Sequence, residues 1–122
     1  MQSRTKLKEY DDASYQKKFK DTEVICLLNS AAVSLKRKLY RDALDSCDKV
    51  LSIDNKNVKA MFRRGQALRG LNDYEGALKE LKRALSVEKN DKTIKTEIDS
   101  LKKEMDKYLK LEKVVCQKMF QK

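Results

Sequence analysis

The sequence predicts an all-α fold built from repeated helix pairs, and three observations carry that expectation. The 122 residues include no proline and only three glycines, too few to supply the tight turns of an all-β sandwich. Apolar residues recur every three or four positions between short polar clusters, the period of helices with one buried face. The chain also superposes on itself at an offset of 34 residues: Tyr40 falls on Tyr74, Ala43 on Ala77, Leu44 on Leu78, Leu51 on Leu85 and Ser52 on Ser86. Small Ala31 falls on small Gly65 in the same register, as expected where two helices cross too closely to admit bulk.

In chain order, residues 1–20 carry a thin helical stripe of Leu7, Tyr10, Ala13 and Phe19, with Tyr15 off that face. Asp21-Thr22-Glu23 reads as the start of a new helix, which continues through Val24, Leu27, Leu28, Ala31, Ala32 and Leu35. Lys36-Arg37-Lys38 closes it with positive charge at the negative end of the helix dipole. A further helix is expected from Tyr40 to Ser52, turning inward Ala43, Leu44, Cys47, Val50 and Leu51. The polar cluster Asp54 to Asn57 is a turn. The next helix starts at Val58 and ends at Gly70. Asn72 with Glu75 three residues on has the pattern of a capping box, opening a helix that carries Tyr74, Ala77, Leu78, Leu81, Ala84 and Leu85. After a turn from Glu88 to Asp91 comes a long last helix whose stripe of Ile94, Ile98, Leu101, Met105, Tyr108, Val115 and Met119 suits a helix capping the end of an array. A coiled-coil seam or a basic amphipathic helix of calmodulin-target type are the rival readings of that stripe.

A 34-residue period of paired helices is the signature of tetratricopeptide (TPR) arrays. The expected architecture is therefore a superhelical array of helix-turn-helix repeats with a long C-terminal capping helix. Residues 1–20 are a leading helix left from a first repeat, 21–90 hold two repeats, and 91–122 form the cap.

Composition narrows the function. The net charge of +10 favours acidic partners, but acids interspersed among the bases and the lack of a base-stacking motif argue against nucleic acid. There is no histidine, hence neither the commonest general base nor the commonest zinc ligand. No nucleophile elbow, phosphate loop or dinucleotide fingerprint occurs. The pattern argues against catalysis, and no cofactor or metal is expected. Cys26, Cys47 and Cys116 are odd in number and widely spaced, which fits free thiols used as small core residues in a reducing compartment. With no secretory segment or long apolar run, a cytoplasmic protein is expected, with the nucleus a second compartment, and no membrane partner.

The candidate binding residues lie on the first helices of the repeats. Lys59 and Arg63 stand four apart, on one helix face, about 5–6 Å apart at Cβ. Two cations so placed repel each other, and a partner with paired carboxylates relieves the repulsion; a solvated basic face is the plainer reading. Asn29 falls on Arg63 at the 34-residue offset, so both point to the concave groove, whereas Arg64, about a quarter-turn further round, is structural or solvated. Tyr40 and Tyr74 pack between the helices of a repeat.

Cys26-Leu27-Leu28-Asn29-Ser30-Ala31-Ala32 and Lys59-Ala60-Met61-Phe62-Arg63-Arg64-Gly65 resemble the second and third repeats of TPR co-chaperones. The likeness is strongest to the C-terminal TPR domains of large immunophilins of the cyclophilin and FKBP types, whose ending Val114 to Phe120 is also similar. The resemblance spans about residues 24–120. It implies a carboxylate clamp for the C-terminal tail of heat-shock protein 90, ending Met-Glu-Glu-Val-Asp, or of heat-shock protein 70. Asn29 would donate to the terminal aspartate, and Lys59 and Arg63 would pair with the carboxylates. Calmodulin binding near the end of the last helix belongs to the same resemblance, although the acids there weaken it. The family has a further Lys and Asn on the first helix of its first repeat, and neither they nor the isomerase domain has a counterpart here. Tyr10-Asp11-Asp12-Ala13 mimics Tyr74-Glu75-Gly76-Ala77, but Ala13 to Ala43 spans 30 residues rather than 34. A partial clamp is expected, in a fragment, a truncated product or a relative with altered binding; a structural or self-associating scaffold is the alternative function.

Overall fold

A computed structural model describes residues 2–121, with side chains from Asp12 onward. Five helices follow one another: α1 (Gln2–Lys36), α2 (Tyr40–Ile53), α3 (Val58–Gly70), α4 (Tyr74–Val87) and α5 (Lys92–Phe120). No strand occurs among the described residues. Each helix packs on the next, and α1 also touches α3, so α1/α2 and α3/α4 form two stacked hairpins with α5 laid against α4. This is the all-α repeat architecture expected from the sequence.

The caps explain the boundaries. Asn57, Asp73 and Asp91 each accept a hydrogen bond from a backbone N–H three residues on, at Ala60, Gly76 and Ile94, satisfying a donor the helix start leaves free. The cap of α4 is therefore Asp73 and not Asn72. Asn72 instead takes a left-handed conformation (φ 66°), and Lys38, 34 residues earlier, does the same (φ 60°). Asn tolerates that region through local hydrogen bonding of its short side chain. The hairpin turns thus repeat in register with the helices.

The expected helix start at Asp21-Thr22-Glu23 is corrected by a continuous α1. Thr22 Oγ1 donates back to the Lys18 carbonyl at 2.8 Å, bonding within the helix instead of capping a new one. In the leading stripe, Leu7 and Tyr10 lie outside the described side chains, and Ala13, Tyr15 and Phe19 are exposed.

One core cluster joins α3, α4 and α5 through Met61, Leu81, Ile94 and Leu101; a smaller one joins α1, α2 and α3 through Leu28, Val50 and Ala60. The small residues sit where predicted. Ala31 and Ala77 are fully buried, and a Cβ on Gly65 would lie 2.8 Å from Leu81 Cγ. A Cβ on Gly70 would run into the ring of Tyr40, so Tyr40 fills the gap between hairpins, while the Tyr74 ring meets Tyr108 of α5 at 5.9 Å. Of the cysteines only Cys47 is a core residue; Cys26 and Cys116 are exposed, because each falls on a helix face that no neighbouring helix covers. The stripe of α5 is buried at Ile94, Ile98 and Leu101 and exposed from Tyr108 onward. At 29 residues α5 is about twice the length of α4, so its second half runs past the array it covers.

Candidate functional site

Arg63 and Arg64 are sequence neighbours with different tasks. Arg63 Nη1 donates to the Leu28 carbonyl of α1 at 2.8 Å, which anchors the guanidinium beside the backbone of the residue preceding Asn29. One side of the fork is fixed, and its remaining N–H groups are free to meet a ligand. Lys59, one turn earlier, is exposed. Lys59 and Arg63 together line a depression of about 250 Å³ whose other walls are Val58, Phe62, Asp91, Thr93 and Ile94. Asn29 is exposed on α1 and is not among the residues lining that depression.

The α5 wall was missed in the sequence, although the 34-residue offset carries it, since Asn57 falls on Asp91 and Lys59 on Thr93. Asp91 spends one carboxylate oxygen capping α5 at Ile94 N, 3.0 Å away. Its charge partly offsets the two cations beside it, while Val58, Phe62 and Ile94 offer apolar contact. The depression can therefore hold a small apolar group next to an anion.

Arg64 turns away from this site, as expected. It donates to Asp48 of α2 at 2.7 Å and to Glu80 of α4 at 2.9 Å. Burial works against its charge, but the two carboxylates outweigh that and hold its pKa above the ordinary value. Near the end of α3, Arg69 makes the equivalent tie to α5, bonding Glu97 and Glu104. Burial opposes that charge as well, and Glu104 and Glu97 again raise the pKa. No group of acidic, histidine or cysteine side chains suited to hold a metal ion occurs among the described residues.

Stacked helix hairpins of this kind define a protein-interaction module of the helical-repeat class. The profile of the tetratricopeptide repeat matches residues 34–96, and the chain belongs to that family. It is 34% identical over 94 residues to human peptidyl-prolyl cis-trans isomerase FKBP4, a match covering 77% of this chain and 20% of that protein. The chain thus spans about a fifth of the length of the curated relatives it matches. Among solved structures it is similar to the C-terminal TPR-containing domain of a putative FK506-binding protein of Plasmodium falciparum (33% identity, TM-score 0.75, covering 82% of this chain and 66% of that one). It is also similar to the second TPR domain of human RPAP3, solved in complex with the HSP70 peptide SGPTIEEVD (28% identity, TM-score 0.62, covering 65% and 66%). No described helix is long and apolar enough to cross a membrane.

Proposed function

We propose that this chain docks the acidic C-terminal tail of heat-shock protein 90 or 70 in a partial carboxylate clamp made by Asn29, Lys59 and Arg63, as the co-chaperone module of an immunophilin-like protein. The observation that carries the reading is the Lys59–Arg63 pair at one depression, with Arg63 anchored on the Leu28 carbonyl. Anchoring removes ligand-ordering cost from one of the two cations. The HSP70 peptide bound to the RPAP3 relative has the same chemistry, an acidic run ending in a carboxylate. Residues 21–90 supply the two repeats on this reading, residues 91–122 the cap, and the free thiols fit the cytoplasm.

Anisotropy of a labelled Met-Glu-Glu-Val-Asp peptide tests it. The expected result is weak binding that falls steeply with added salt, because the cations are open to solvent. Salt-insensitive binding, or none at low salt, overturns the reading.

A second reading rests on the exposed end of α5. From Lys107 to Lys118 it carries four lysines against Glu112, beside exposed Leu111, Val115 and Met119. A basic amphipathic helix of this kind suits an acidic groove of calmodulin type.

A further inference from the structure

Among the residues lining the depression that Lys59 and Arg63 share, only Asp91 carries a carboxylate. Its capping role does not require that charge. Asn57, 34 residues earlier, caps α3 through its Oδ1, 2.9 Å from Ala60 N, just as Asp91 Oδ1 caps α5 at 3.0 Å from Ile94 N. A neutral side chain thus caps the equivalent helix, and Asn and Asp are about equal as helix caps. What aspartate adds at residue 91 is a fixed negative charge. It is half-buried in the same depression as two cations, and it forms an ion pair with neither.

We propose that Asp91 is a specificity-determining residue, which confines the site to a short acidic run preceded by an apolar residue and turns away tails whose acidic run continues. This inference rests on the proposed clamp. In that clamp the terminal aspartate lies at Asn29 on α1, and Arg63 bridges from the Leu28 carbonyl of α1 to the depression beside α5. A tail held at its terminus passes Arg63 first. The residue before its acidic pair then reaches the depression, where Val58, Phe62 and Ile94 supply apolar contact. An acid at that point loses the apolar contact and meets the Asp91 carboxylate. The charge of the chain gives such a wall its value. At +10 the chain attracts any acidic segment, and exposed Lys89, Lys92 and Lys95 close to Asp91 in sequence add to that pull. General attraction does not discriminate between acidic tails, whereas a placed repulsion does.

Titrations of the full chain followed by NMR test the proposal with two acetylated peptides, Met-Glu-Glu-Val-Asp and the same peptide with its Met replaced by Glu. Wild type should favour the Met peptide. Asp91→Asn, which keeps the cap, should reduce that preference about threefold, the size expected of one charge pair open to solvent. Asp91→Ser, also a good cap, should do the same, and thermal melts should show both variants folded. Asp73→Asn is the control. Asp73 caps α4 at Gly76 N, 3.0 Å away, and does not line the depression. Its replacement removes the same charge from the chain and should leave the preference as in wild type. An unchanged preference in both Asp91 variants overturns the proposal, as does an equal shift in Asp73→Asn. Either result leaves the clamp standing if the Met peptide binds as the free acid and not as the C-terminal amide. Binding of neither peptide, to wild type or to any variant, overturns the clamp and this proposal with it.

Discussion

Arg64 Nη1 lies 2.9 Å from Glu80 Oε2, and Glu80 is buried to 7% exposure in the middle of α4. The same guanidinium reaches Asp48, so one side chain ties α2, α3 and α4. Arg83 also donates to Glu80, but from a more exposed position. Arg64→Ala should therefore lower stability by about 2–3 kcal/mol, mostly the cost of a buried carboxylate left short of partners. Arg64→Ala with Glu80→Gln should recover some of the loss. Urea melts of the single and double variants check both statements.

Ala77 is fully buried where α4 crosses α3, and its carbonyl would lie 3.5 Å from a Cβ placed on Gly65. Ala77→Arg should cost roughly 3 kcal/mol or more, through overpacking and an unpaired buried charge. Thermal melts followed by circular dichroism should show a lost or greatly lowered transition.

The two halves of α5 should respond differently to the same change. Ile98→Asp puts a charge into the core that α5 shares with α3 and α4 and should lower stability by about 3 kcal/mol. Val115→Asp, on the exposed half, should stay within about 0.5 kcal/mol. Equal effects would mean that the whole helix is held by the array.

Burial pushes the Cys47 thiol up from its ordinary 9.0 to about 11, despite the opposing pull of Arg63 and Arg64. The folded state holds this proton more tightly than the unfolded chain. Its contribution is fully present below about pH 9 and is lost as pH climbs towards 11, a change of roughly 2–3 kcal/mol. Wild type should lose more stability than Cys47→Ala across that window. In native protein Cys26 and Cys116 should react with a thiol reagent while Cys47 waits for unfolding.

The repeat was legible in the sequence because the packing requirement itself repeats. Ala31 and Gly65 stand at close crossings, and Lys38 and Asn72 both turn left-handed. Features that depend on neighbours absent from the local pattern were not legible. Asp21-Thr22-Glu23 has the composition of a helix start, yet Thr22 bonds backwards to Lys18 and the helix runs on. The stripe of α5 continues past Tyr108, to exposed Val115 and Met119, although no helix stands there to cover it, since periodicity records a face and not its partner. At the candidate site Lys59 and Arg63 were readable from their four-residue spacing, but the hold of Leu28 on Arg63 needed the fold.

The central claim is that the carboxylate of an acidic tail is read by this cation pair. Calorimetric titration of a Met-Glu-Glu-Val-Asp peptide, as free acid and as C-terminal amide, into wild type and Arg63→Ala tests it most directly. Two charge-assisted bonds of about 1.5–3 kcal/mol each must offset several kcal/mol of ligand immobilisation. The account therefore predicts high-micromolar to millimolar binding of the acid, lost on amidation and lost in Arg63→Ala. Equal heats from acid and amide, or undiminished binding to Arg63→Ala, would contradict it.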